Sequence, residues 1–337
     1  MTQKAHRLVV IGTSAGGIEA LRQLVRAMPA DFPAPLCIVL HVAPDSPGIV
    51  PDILTRAGRM PAVHPTDRQR LEGGTIYVAP PDHHLLVEPG RLRVTKGPRE
   101  NRFRPAIDPL FRSAAQVYGP AAIGVILTGN LDDGTAGLWT LKQMGGVAVV
   151  QDVQDAMFSS MPAHAAKHVD IDYSVPLSQM ASLLDQLVNR APGTTERVVP
   201  QATRVEIDIA KGANPRDAGF EEMAMPSRFA CPECHGVLLE VKEGGRIRFR
   251  CHTGHAYSPA SLLADIDQGI RTAMGVSLRA LEEGIILLDQ LTTHVQDTHT
   301  DHDLTSLLSA SGRAREQSQV LRQLIDDWQP LPAAELP

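Results

Sequence analysis

Along the first half of the chain, short runs that are apolar at nearly every position alternate with stretches whose apolar residues recur every three or four positions. LVVIG (8–12), LCIVLHV (36–42), TIYVAP (75–80), IGVILTG (123–129) and VAVVQD (147–152) read as strands. Strands without polar alternation are those covered by helices on both faces. Helices are expected at 17–28, 106–118, 135–144, 160–168 and 177–190. This order predicts an α/β domain over 1–190, a doubly wound, mainly parallel sheet with flanking helices.

After Arg190 the pattern lapses. APGTTERVVPQAT and KGANPRDAG lack sustained apolar periodicity, so 191–225 reads as a linker. A compact Cys/His segment follows at 226–257. From Ser258, with Pro259 at a first helical position, Leu262, Leu263, Ile266, Ile270, Met274, Leu278, Leu281, Ile285 and Leu288 recur at helical spacing. A second such stripe runs from Leu304 to Trp328, so 258–330 is expected to be an α-helical hairpin or coiled-coil-like region. Between the stripes, Asp297, His299, Asp301, His302 and Asp303 read as a solvated loop before they read as a second metal site.

Composition narrows the function classes. The 337 residues are 43% hydrophobic and 21% charged, enough for a sizeable core, and aromatics at 4% leave that core to aliphatic packing. Against 32 basic residues stand 38 acidic ones, a net charge of -6 that gives no support to a nucleic-acid partner. No run approaches the roughly 18 apolar residues of a membrane span, and no early segment has the make-up of a secretory signal. Four cysteines are too sparse for a disulfide scaffold, so a cytoplasmic location is expected, without membrane insertion.

The strongest chemical feature is GTSAGG at 12–17, between the first strand and first helix. Gly12-x-Ser14-x-Gly16 fits a nucleophile elbow, in which a serine projects beside the free N–H groups of a helix N-terminus. The same turn also suits phosphate binding or a plain connection. A serine nucleophile needs a base. His41 ends the second strand pattern, on the same sheet edge as Ser14 if the two strands are neighbours, while His83 and His84 are reserves. The third member comes from ILTGNLDDGTAG, where Asp132 or Asp133 would orient the imidazole. The order serine, histidine, acid differs from that of ordinary α/β-hydrolases.

These segments resemble the catalytic domain of the CheB protein-glutamate methylesterases of bacterial chemotaxis. The likeness is carried by VVIGTSAGGIEAL, VLHVAP, NRFRPAIDPLFRSAA, VILTGNLDDGTAGL and SSMPAHAA, which cover nearly all of 8–190. The resemblance implies a catalytic triad of Ser14, His41 and Asp133 and thereby chooses between the two aspartates. It also implies hydrolysis of glutamate methyl esters on chemoreceptors with release of methanol, deamidation of glutamine in some relatives, and no catalytic cofactor. Thr13, Ala15, Gly129 and Asn130 are then oxyanion or pocket candidates, with Met161 as a pocket wall. The basic stretch from Arg91 to Arg104 reads first as an exposed hairpin and loop, with contact to an acidic receptor as the functional alternative, through Arg99 and Arg102 first. Two departures stand out. The first strand begins at Leu8, so no receiver domain is expected ahead of it, and GNLDDG replaces the family's usual GMGxDG.

CPEC at 231–234 and CHTGH at 251–255 have zinc-ribbon spacing. Cys231, Cys234, Cys251 and His255 are the expected ligands of a structural Zn²⁺, a full tetrahedral set that leaves no position for catalytic water. His252 and His235 compete less well because each adjoins a ligand. The helical stripes beyond are most simply internal packing, with self-association or partner binding as other uses. Two further readings remain: a noncatalytic chemoreceptor or signalling-complex scaffold, and a nucleotide-binding protein using the Gly-rich turn.

Overall fold

The computed structural model describes residues 7–194, 198–243, 246–298 and 304–333. His299, Asp301, His302 and Asp303 lie outside the described residues. The chain forms two compact units, one running to Leu262 and the other from Leu263 to Pro332.

In the first unit, β1 (Leu8–Thr13), α1 (Gly17–Ala27), β2 (Leu36–Leu40), α2 (Val50–Ala57), β3 (Ala62–Val63) and β4 (Ile76–Val78) build one half of a sheet. An antiparallel hairpin of β5 (His84–Glu88) and β6 (Arg91–Thr95) stands apart from it. The chain then returns through α3 (Ile107–Tyr118), β7 (Ala122–Ile126), α4 (Thr135–Gln143), β8 (Val147–Gln151), α5 (Ser160–His168), β9 (Tyr173–Val175) and α6 (Leu177–Val188). The seven strands lie in the order β3-β4-β2-β1-β7-β8-β9, and every pairing is parallel.

Alternation along β1 shows why its sequence is apolar throughout. Val9 and Ile11 pack with Leu21 and Leu24 of α1 and Met180 and Leu184 of α6. Leu8 and Val10 pack with Leu110 and Phe111 of α3 and Leu138 of α4 on the opposite face. Both faces are therefore core. The chain runs outward from β1 to β2 and later returns to β7 on β1's other side. The carboxyl end of β1 is the topological switch point, where open α/β sheets place their sites.

In the main sheet and its flanking helices three elements escaped the sequence pattern. α2 has eight residues, and β3 and β9 have two and three, too short to show a period. The stretch read as a linker, 191–225, is a further correction, because it contains α7 (Gln201–Ala210). Val205, Ile207 and Ile209 recur at two-residue steps, which hides the helix. Their reason is a two-sided burial: Val205 and Ile209 meet Phe220 and Val241, while Ile207 and Ala210 meet Leu86 of β5.

The Cys/His segment forms an antiparallel sheet of β10 (Met225–Ala230), β11 (Val237–Glu243), β12 (Arg246–Cys251) and β13 (Ala256–Tyr257). This sheet and the α/β domain belong to the same compact unit. The next helix, α8 (Pro259–Thr298), carries the chain into the second unit, which α9 (Leu304–Asp326) completes. There Asp289 accepts from Ser311 Oγ at 2.8 Å and pairs with Arg315, Glu282 pairs with Arg322, and Trp328 Nε1 donates to Asp267 at 3.1 Å. Partners that advance along one helix while retreating along the other define an antiparallel hairpin. Among the described residues no helix is long and apolar enough to cross a membrane.

Candidate active site

β1 and β2 are neighbours, with Thr13 opposite Leu40, so Ser14 and His41 leave adjacent strand ends. His41 N donates to Thr13 O at 3.2 Å, and Ser14 N donates to Thr128 O at 3.1 Å. Gly16 takes the left-handed conformation (φ 74°) and turns the chain into α1, leaving Ser14 half-buried at the elbow.

Asp133 comes to the same edge from the loop after β7. Its Oδ2 accepts from His41 Nε2 at 2.7 Å, between side chains that are each 2% exposed. The same oxygen accepts Ile107 N at 2.7 Å, and Oδ1 accepts Asn101 Nδ2 at 2.8 Å and Gly134 N at 2.9 Å. Burial alone would raise this carboxyl. The His41 hydrogen bond and charge, the Ile107 N–H and the Asn101 amide outweigh burial and hold it below its ordinary value. Asp133 is thus an anion with its acceptor sites filled by donors, one of them the imidazole.

Because Nε2–H donates to Asp133, Nδ1 carries the free lone pair of His41. Nδ1 is buried and, among the described residues, has no hydrogen-bond partner. The ring lies flat on Phe103, with centroids 3.7 Å apart and planes at 7°. Its orientation is fixed on an edge and on a face.

The other candidates separate clearly. Asp132 accepts instead from Ser258 Oγ at 2.7 Å. Burial raises its carboxyl above the ordinary value even with that hydrogen bond. His84 is fully buried, with Nε2 donating to Pro98 O at 2.8 Å and Nδ1 accepting from Ala106 N, so main-chain groups use both nitrogens. His83 Nδ1 lies 2.9 Å from Pro81 O.

Around the elbow, Thr13 Oγ1 donates to Thr128 O, and Gly129 N donates to Phe158 O at 2.9 Å. Met161 N donates to Gly129 O at 2.9 Å. The N–H groups of Gly129 and Met161 are therefore spent, so Gly129 does not serve as an oxyanion donor. The Met161 side chain packs against Gly129, where a pocket wall was expected. A Cβ on Gly129 would lie 2.7 Å from Met161 Cε and 3.0 Å from Ser14 Cβ, so a side chain there would press on both. Among the described residues Ala15 and Asn130 have no backbone hydrogen bond drawing on their N–H groups.

The basic stretch is largely compensated within the chain. Arg93 pairs with Asp67 at 2.9 Å, Lys96 and Arg104 with Asp82 at 2.8 and 2.6 Å, and Arg99 with Glu233 at 3.2 Å. Arg102 sits half-buried in a left-handed turn (φ 77°).

In the smaller sheet, one ligand atom from each of Cys231, Cys234, Cys251 and His255 lies within 4.8 Å of every other. His252 is outside this group, beside Gly236, and His235 is exposed. The cluster can hold a metal ion.

The sequence model of the family described as CheB methylesterase matches residues 9–184, 176 of the 337 residues. The chain belongs to the CheB methylesterase family. It is accordingly an esterase. The crystal structure of the Thermotoga maritima CheB methylesterase catalytic domain superposes with a TM-score of 0.52 at 30% identity, over 54% of this chain and 98% of that one. A Leptospira interrogans protein is 38% identical over 183 residues, 54% of this chain and 95% of its own length. The Trichodesmium erythraeum protein-glutamate methylesterase/protein-glutamine glutaminase is 36% identical over 178 residues, 52% of this chain and 51% of its own. The chain thus spans about half the length of that relative. Within the CheB-like domain, sequence reasoning missed Asn101 and Phe103 as partners of the acid and the imidazole. Both stand in NRFRPAID, the run that carried part of the resemblance.

Proposed function

We propose that the chain is a serine methylesterase that hydrolyses glutamate methyl esters on a chemoreceptor or related signalling protein. The observation that carries this reading is the His41 Nε2–Asp133 Oδ2 hydrogen bond, which leaves Nδ1 as the acceptor at the strand end beside Ser14. The Oγ–Nδ1 contact belongs to the substrate complex, since catalytic contacts commonly tighten only with substrate bound.

In this mechanism Nδ1 takes the Ser14 proton as Oγ attacks the ester carbonyl. Asp133 stabilises the imidazolium, and the Ala15 N–H at the helix entrance faces the developing oxyanion. The imidazolium then protonates departing methanol. Water, deprotonated by the same Nδ1, hydrolyses the acyl-enzyme and restores the hydroxyl. Attack on a glutamine side chain would follow the same steps with ammonia leaving. The two ring nitrogens exchange the duties they have in the serine-protease template.

Ile18, Met157 and Phe158 are 44%, 70% and 40% exposed, and the latter two lie beside Gly16. Such an apolar rim suits the surface of a protein helix. A receptor contact through Arg99 would compete with its Glu233 pair. None of the four cysteines is in a disulfide, in keeping with a cytoplasmic enzyme. The test is methanol release from methylated receptor in membranes. Wild-type protein releases it and Ser14→Ala does not; equal release by both overturns the reading.

We infer that the Cys₃His cluster holds a structural zinc ion. Around a tetrahedral zinc, sulfurs at about 2.3 Å and a nitrogen at about 2.1 Å stand about 3.6–3.8 Å from one another. His255 Nδ1 is 3.6 Å from the sulfurs of Cys231 and Cys251, and Cys234 Sγ is 3.6 Å from Cys251 Sγ. These spacings fit. Bound there, the ion would cross-link the two knuckles and take no part in ester chemistry. Elemental analysis of purified chain should give one zinc per molecule, and a folded protein without metal counts against it.

A further inference from the structure

We propose that the turn Glu100–Phe103 positions the triad and that the C-terminal module holds this turn in place, with Asn101 as the residue that transmits the hold. The inference rests on the serine-esterase reading of Ser14, His41 and Asp133.

The turn is closed by Glu100 N to Phe103 O at 3.2 Å and Phe103 N to Glu100 O at 2.9 Å. One end presents Phe103 to the face of His41, and the other presents Asn101 to Asp133. Two members of the triad therefore take their orientation from four consecutive residues.

Every hydrogen-bonding position of the Asn101 side chain is used. Nδ2 donates to Asp133 Oδ1 at 2.8 Å and to Asp108 Oδ2 at 2.9 Å. Oδ1 accepts from Ser258 N at 3.0 Å and Ser261 Oγ at 3.2 Å. The acceptors of the amide N–H groups belong to the CheB-like domain, and the donors to its oxygen belong to the segment after the Cys₃His cluster. With those donors removed, the buried amide oxygen would be left without a donor and the side chain would lose its tie to 258–261.

The backbone is held in the same way. Asn101 N donates to Ala256 O at 2.8 Å, and Ala256 N donates to Arg99 O at 3.1 Å. Ala256 directly follows the ligand His255, whose carbonyl accepts from the N–H of the ligand Cys251 at 3.0 Å. Arg248 and Arg250 of β12 bring their guanidinium groups to the fully buried Glu100, and Arg99 reaches Glu233 inside the CPEC knuckle. The metal-binding residues thus fix the geometry of 256–261, and 256–261 fixes the amide that orients the acid.

The test uses the full chain and a fluorophosphonate probe that phosphonylates Ser14 Oγ with loss of fluoride, Ser14→Ala being the unlabelled control. A second readout is the low-field proton resonance of His41 Nε2–H, which reports its bond to Asp133 independently of turnover. Asn101→Ala should label at least about tenfold more slowly, as expected for loss of an outer-shell partner, and should lose or shift that resonance. Cys234→Ser should reproduce both effects, and the double variant should fall short of the product of the two single effects, because the two share the Asn101 amide.

Ser261→Ala keeps the ligand set and should slow labelling about threefold, the worth of one modest hydrogen bond, with unchanged metal content. It decides the matter if Cys234→Ser fails to fold. Wild-type labelling rates and an unshifted resonance in folded Cys234→Ser or Ser261→Ala overturn the proposal, as do multiplicative effects in the double variant. A wild-type chain that the probe does not label would sink the serine-esterase reading instead, and the resonance would still report on the coupling.

Discussion

Phe103 lies parallel to His41 with the ring centroids 3.7 Å apart. The contact covers one face of an imidazole whose edge is already tied to Asp133, so the ring can neither tilt nor rotate without losing an interaction. Aromatic stacking contributes about 0.5–1.5 kcal/mol beyond burial, and a charged imidazolium is further favoured against an aromatic face. Phe103→Ala should therefore lower kcat about three- to tenfold with KM little changed, and Phe103→Tyr should restore most of the loss. Steady-state kinetics on a glutamate methyl ester peptide would show it. A change confined to KM would assign Phe103 to substrate binding.

The neighbouring aspartates should behave very differently. Asp133 accepts the His41 proton donor, whereas Asp132 accepts the hydroxyl of Ser258. Asp133→Asn puts an amide where the imidazole N–H must donate, and in a serine protease the comparable change costs about 10⁴ in kcat. Asp132→Asn should cost less than about tenfold, because an amide oxygen still accepts from Ser258. Comparable losses in both variants would remove the assignment of Asp133 as the orienting acid.

The α/β fold was legible because its strands are buried on both faces and its helices carry regular stripes. Ser14 and His41 were legible because each follows an apolar run, and register then places them side by side. The choice of Asp133 over Asp132 was not available to pattern reasoning. Both follow the same strand, and what separates them is which carboxylate meets His41 and which meets Ser258. Helix α7 was hidden because packing on two sides buries residues at two-residue steps. The roles of Asn101 and Phe103 depend on contacts with residues far along the chain, which no local spacing encodes.

A side chain at Gly129 should press on the elbow. A Cβ there would stand 2.7 Å from Met161 Cε and 3.0 Å from Ser14 Cβ, so Gly129→Ala must displace one of them. Overpacking of this kind costs about 1–3 kcal/mol, enough to move the elbow serine without unfolding the domain. Fluorophosphonate labelling should slow about tenfold or more while the melting temperature falls by only a few degrees. Adding Met161→Ala opens the wall and should recover part of the rate. No recovery would mean that the clash with Ser14 itself dominates.

Acid stability should reveal the buried charges that bind α7 to the rest of the first unit. Glu206 faces Arg250, Arg248 and Arg112, and Glu100 faces the same three guanidinium groups. Burial alone would raise both carboxyls, but the arginines hold them below their ordinary values. A carboxyl lowered on folding contributes stability above its unfolded value of 4.5 and loses it as pH falls toward the folded value. Asp108 acts in the opposite sense. Burial and the adjacent Asp133 push it up to about 6, so its ionisation costs stability as pH rises from 3.8 through 6. Asp108 should therefore raise the urea midpoint slightly from pH 7 toward 5, against the opposite contribution of buried His84, and the midpoint should fall steeply below about 4.5. Glu206→Gln should lower stability at pH 7 by about 3–5 kcal/mol, because it leaves buried guanidinium groups with fewer counter-charges, and should flatten the acid limb. Asp108→Asn should abolish the rise between pH 7 and 5. Parallel pH curves for all three proteins would show that these groups titrate alike in the folded and unfolded chain, and the buried cluster would then have no part in acid unfolding.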